Sequence, residues 1–124
     1  MIVGVGTDLV EIARIEASVQ RWGEKFATKI LSANELSTYR QRGDVAYLAK
    51  RFAAKEAVSK ALGTGMSCGV GFTQIEVVGQ RGYAPRIVLN GAAASHAERL
   101  GVRVSHLSLS DERQYAIAYV ILER

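Results

Sequence analysis

VAYLAKRFAAKEAVSKAL, Val45 to Leu62, is rich in Ala, Lys, Leu and Glu and free of Gly and Pro, so its intrinsic preference over about five turns is helical. Gly63 supplies the left-handed stop that ends such a helix, and the four glycines of Gly63 to Gly71, GTGMSCGVG, make the next segment a loop. Working back from Val45, Gly43-Asp44 closes one helix and caps the next. Ser32 with Glu35 has the capping-box spacing, which predicts a short helix from Ala33 to about Arg40. Earlier still, Ile12, Ile15, Val19, Trp22 and Phe26 recur at three- and four-residue intervals. Arg14, Ser18, Arg21 and Lys25 share the opposite stripe, so this is an amphipathic helix with a basic outer face, interrupted near Gly23. Ile2 to Val5 is short and β-branched and reads as a strand that Gly4 and Gly6 lead toward Asp8 and the helix.

Working forward from Gly71, Gln74 to Val78 reads as a strand, Gln80 to Ala84 as a turn and Pro85 to Leu89 as a second strand, together a hairpin. Ala92 to Leu100 is a short helix ended by Gly101. Arg103 to Leu109 and Gln114 to Leu122 are β-rich runs around the turn Ser110 to Arg113, a terminal hairpin. Strands joined by hairpins with helices between predict an α+β fold: an antiparallel sheet with one long helix packed on it, in a single domain over residues 1–124.

Composition narrows the function classes. At 124 residues, 48% hydrophobic and 23% charged, the chain has the balance of a globular domain and not of a disordered, fibrous or membrane protein. Its formal charge of +4 favours an anionic partner, with nucleic acid, a phosphorylated cofactor and an acidic protein all open. The single cysteine, Cys68, excludes an intrachain disulfide framework and suits a reducing cytoplasm. MIVGVGTDLVEIARIE carries no basic leader and meets Asp8 and Glu11 early, so neither a signal peptide nor a membrane span is expected there.

Chemistry points first to the long helix. With Phe52 at zero on a wheel of about 100° per residue, Val45, Leu48, Ala49 and Glu56 fall within roughly 60°, while Lys50 and Ala54 face away. A carboxylate in an apolar arc requires a cation or a metal. Lys60, one turn on, offers an ordinary i,i+4 ion pair. Asp8, beside two glycines at a strand end, offers a second carboxylate that could join Glu56 in holding a hard cation such as Mg²⁺; capping of the next helix is its other reading. Other motifs fail. Gly4-x-Gly6 has Leu9 where a dinucleotide fingerprint needs a third glycine, and Gly63-Thr-Gly65 is followed by Met66, not by Lys-Ser. His106 and Asp111 stand near serines without a nucleophile elbow. The stripe Arg14, Arg21, Lys25 reads as a solvated face, a nucleic-acid contact or a dock for an acidic protein helix. No recognisable motif or interleaved aromatics support nucleic acid.

The stretches Gly4 to Glu16, GVGTDLVEIARIE, Arg51 to Gly65, RFAAKEAVSKALGTG, and Leu107 to Ala116, LSLSDERQYA, resemble the holo-[acyl-carrier-protein] synthases, the small branch of the 4′-phosphopantetheinyl transferases. That resemblance implies transfer of the phosphopantetheine arm of coenzyme A to a serine of apo acyl carrier protein, with release of adenosine 3′,5′-bisphosphate, in support of fatty acid biosynthesis. It implies Asp8 and Glu56 as Mg²⁺ ligands and Lys60 beside the pyrophosphate. Arg51, Gly65 and His106 would contact coenzyme A, and Arg14, Arg21 and Lys25 would dock the acidic carrier protein. It further implies a homotrimer with sites between subunits, and neither a nucleic-acid nor a membrane partner. Two positions depart from the pattern. Asp111 stands where many members have histidine, and Val10 stands where the two-repeat branch has a third metal carboxylate.

Overall fold

The computed structural model describes residues 1–79 and 81–124. Its first sheet is antiparallel in the order β1–β5–β4, built from β1 (Ile2–Glu11), β4 (Val104–Asp111) and β5 (Tyr115–Glu123). A second sheet pairs β2 (Ile75–Val78) with β3 (Arg86–Leu89), also antiparallel. The helices are α1 (Ile12–Trp22), α2 (Glu24–Ile30), α3 (Ala33–Arg42), α4 (Val45–Leu62) and α5 (Gly91–Leu100). The α+β architecture with antiparallel sheets is therefore the one expected, and among the described residues no helix is long and apolar enough to cross a membrane. Of the predicted turn over residues 80–84, Gln80 lies outside the described residues.

Local chemistry explains most boundaries. The Ser32 hydroxyl accepts from the Glu35 amide while the Glu35 carboxylate accepts from the Ser32 amide, the capping box predicted for α3. Gly43 and Gly63 adopt left-handed conformations that end α3 and α4, and the Asp44 carboxylate accepts from the Ala46 amide to start α4. Gln74 enters a 3-10 turn, Phe72–Gln74, instead of β2. Its side chain bonds the Gly69 carbonyl and the Ala93 amide, which ties the glycine loop to α5.

Two expectations are corrected. β1 does not stop at Val5 but pairs with β5 as far as Glu11 opposite Tyr115. Its glycines pack directly against α4. A Cβ on Gly4 would lie 2.0 Å from the Ala61 carbonyl oxygen, and one on Gly6 would lie 1.9 Å from that of Ala57. The strand and α4 thus meet backbone to backbone, with Ala57 and Ala61 forming the helix side of the contact. Nor is α4 amphipathic about Phe52: Ala53, Ala54, Ala57 and Val58 are all fully buried, because the first sheet covers one side and α1, α3 and β2 cover others. Val45, Phe52 and Glu56 form a half-buried line that leads to the exposed Lys60.

The sheet has two unlike faces. Val10, Leu107, Ala116, Ala118, Val120 and Leu122 are buried against α4, each larger side chain contributing about 1.5–3 kcal/mol of transfer free energy. The opposite face leaves Val5, Leu9, Val104, Tyr115, Ile117 and Tyr119 exposed.

Candidate active site

Asp8 is the next helix-facing residue of β1 after Gly6. The close strand–helix contact carries its short side chain directly against α4, and Asp8 and Glu56 line one cleft of about 200 Å³ with Val10, Arg14, Phe26 and Phe52. The Lys60 ammonium donates to Asp8 Oδ1 at 3.0 Å and to the Thr7 carbonyl at 3.0 Å. Among the described residues the ion pair of Lys60 therefore runs across to β1, and the intrahelical Glu56–Lys60 pair does not form. The Asp8 side chain is only 15% exposed, so its charge is less screened by water, and the neighbouring carbonyl gives the ammonium a second acceptor. The capping alternative for Asp8 also falls. Glu11 occupies the N-cap of α1, without a side-chain cap bond.

Glu56 is half-buried. Burial pushes its carboxyl above the usual carboxylate range, the negative charge of Asp8 pushes it further, and Lys60 opposes both. Two carboxylates that repel one another beside an open cleft form a donor set suited to a hard divalent cation, with oxygen ligands and room for water or phosphate oxygens. No cluster of three or more His, Cys, Asp or Glu side chains occurs among the described residues, so the chain would supply two ligands to such an ion. Those residues fit Mg²⁺.

The basic stripe flanks this cleft. Arg14 lines it, Lys25 lines the neighbouring one, and the Arg21 guanidinium lies 4.8 Å from the Trp22 ring centroid. The neighbouring cleft, about 860 Å³, was not foreseen; Trp22, Phe26, Phe52 and Phe72 form its walls and Lys25 and Lys29 its rim. Phe52 stacks on Phe72 with ring centroids 5.3 Å apart, and Phe26 and Phe52 belong to both clefts. A hint lay in the sequence: Trp22 and Phe26 close an apolar stripe on a helix that Gly23 breaks, but Trp22 is 55% exposed and not core.

Three predicted residues lie elsewhere in the chain. Arg51 faces α3 and β2, its guanidinium 4.3 Å from the Tyr47 ring centroid and its Nε buried with no hydrogen-bond partner among the described residues. His106 lies on the outer face of the sheet, paired with Glu123. Gly65, with φ +59°, follows α4, and its amide donates to the Ser59 carbonyl. Asp111, at the end of β4, forms an ion pair of 3.0 Å with Lys50 of α4.

A family model described as the 4′-phosphopantetheinyl transferase superfamily matches residues 4–120. The holo-[acyl-carrier-protein] synthase of Halorhodospira halophila is 53% identical over 98% of each chain. Among solved structures, the holo-[acyl-carrier-protein] synthase of Neisseria meningitidis superposes with a TM-score of 0.92 at 40% identity over 100% of both chains. That of Helicobacter pylori in complex with coenzyme A gives 0.84 at 32% identity, covering 96% of this chain and 99% of the other.

Proposed function

The chain belongs to the 4′-phosphopantetheinyl transferase superfamily, as a member of the holo-[acyl-carrier-protein] synthases, and from this we propose that it moves the 4′-phosphopantetheine group of coenzyme A to a serine of apo acyl carrier protein. The observation that carries the reading is the shared cleft of Asp8 and Glu56, with Lys60 clamped to Asp8. In the reaction the serine oxygen attacks the β-phosphorus of coenzyme A and the bond to the bridging oxygen breaks, releasing adenosine 3′,5′-bisphosphate. Asp8 and Glu56 hold Mg²⁺, which when bound supplies neutralising charge for the diphosphate. Lys60 fixes the Asp8 carboxylate and keeps one N–H for the diphosphate, since two are spent on Asp8 and Thr7. The serine proton passes to Glu56 directly or through a water in the cleft.

Arg14, Arg21, Lys25 and Lys29 present positive charge on the α1–α2 side of the cleft to an acidic carrier protein, with the aromatic cleft as an apolar floor. Arg51, Gly65 and His106 contact coenzyme A from outside the cleft of their own chain, as a homotrimer with shared sites allows. The exposed face around Leu9, Ile117 and Tyr119 supplies the apolar surface such an assembly needs. The setting is the cytoplasm and the pathway fatty acid biosynthesis. Mass spectrometry of apo carrier protein incubated with coenzyme A and this protein tests the proposal: the pantetheine adduct forms with Mg²⁺ and not with EDTA. Transfer that persists with the chelator contradicts the metal assignment. No transfer with any divalent ion contradicts the activity and favours a non-catalytic binding module.

A further inference from the structure

Lys55, one residue before Glu56, is fully buried, and its ammonium donates to the Ile30 carbonyl at 2.6 Å, to Glu35 Oε1 at 2.6 Å and to the Phe72 carbonyl at 3.2 Å. All three of its N–H groups are spent. Glu35, also buried, accepts from the Ser32 amide at 2.9 Å and, through Oε2, from the Val77 amide at 2.8 Å. One cation therefore joins the end of α2, the first turn of α3 and the 3-10 turn at Phe72. Stability does not account for this arrangement, because two buried charges are often replaced by apolar side chains without loss. Direction does: hydrogen bonds fix relative position where apolar contact does not. The two tethered carbonyls belong to Ile30 and Phe72, which both line the aromatic cleft.

We propose that Lys55, held by Glu35, is a positioning residue that sets the separation of Ile30 and Phe72 across the aromatic cleft and thereby the affinity for the carrier protein. This rests on the docking role given above to the α1–α2 side. The cleft is continuous with that side through Trp22 and Lys25, and its lysine rim around an apolar floor matches an apolar side chain on an acidic partner surface. A free Phe72 turn would let the stacked Phe52–Phe72 pair drift and the pocket lose its shape, while Asp8 and Lys60, tied to one another between β1 and α4, keep their places.

The test uses Lys55→Met, which keeps the stem and removes the donors, and Lys55→Met with Glu35→Gln, which also removes the orphaned charge should the single variant fail to fold. Trp22, the only tryptophan, stands in the cleft, so its fluorescence reports binding of apo carrier protein directly. A folded variant should bind the carrier protein about tenfold more weakly, with KM for it rising in step, while kcat and KM for coenzyme A stay within about twofold. Unchanged carrier affinity overturns the proposal, as do parallel losses toward coenzyme A and carrier protein, or failure of both variants to fold. Wild-type protein run alongside separates the premises: if it neither binds nor modifies the carrier protein, the docking reading itself falls, and Lys55 with it.

Discussion

Glu56 must be an anion to hold a cation, yet the fold makes the anion costly. Burial is the first cause of its raised pKa and the charge of Asp8 the second, with Lys60 opposing them. A carboxyl whose folded-state pKa lies above its unfolded value binds its proton more tightly in the folded protein. The penalty is absent below the unfolded value, grows as pH rises through the window between the two, and is felt in full above the folded value. Glu56→Gln cannot ionise. Melting curves of metal-free wild type and variant should therefore coincide below about pH 4, with the wild type falling behind as the pH rises from there. Mg²⁺ then raises the wild-type transition and leaves that of the variant in place, and the variant transfers no phosphopantetheine. Melting differences that ignore pH, or turnover by the variant, contradict this account of Glu56.

Between β1 and α4 the deciding feature is an absence of side chains. Gly4 and Gly6 allow the strand to touch the helix backbone, and the next helix-facing residue, Asp8, is thereby brought beside Lys60. Gly6→Ala should destabilise the protein by at least about 1–3 kcal/mol, since its Cβ would have to displace the Ala57 carbonyl from 1.9 Å. It should also reduce transfer in the fraction that remains folded, because any separation of strand and helix draws Asp8 away from α4. Calorimetry with transfer assays below the transition reads both effects, and a variant with wild-type stability and turnover would show that the contact does not place Asp8. This is also where the sequence was hardest to read. Capping chemistry at Ser32, Glu35, Asp44 and Gly63 is local, so α3 and α4 were legible to within a residue or two. The glycines of β1 obey a distant helix, and a strand reading based on neighbours ended too early. Asp8 and Glu56 could be singled out by residue type and spacing. The aromatic cleft and the Lys55–Glu35 pair could not, because Trp22, Glu35, Phe52 and Phe72 meet only through tertiary packing.

At the scale of the molecule, the acid cleft lies on one side of the first sheet and an exposed apolar face on the other, with Arg51 and His106 outside the cleft. A single chain holds the two carboxylates together but does not bring every predicted coenzyme A contact to them. Association through Val5, Leu9, Ile117 and Tyr119 would both cover that face and allow a neighbour to complete the site. Crystals grown with coenzyme A and Mn²⁺, a substitute for Mg²⁺ with a strong anomalous signal, test the central claim most directly. The expected result is an anomalous peak between the carboxylates of Asp8 and Glu56, in contact with the diphosphate, in three copies packed through the apolar sheet face. Density for coenzyme A with the manganese bound away from Asp8 and Glu56 would contradict it.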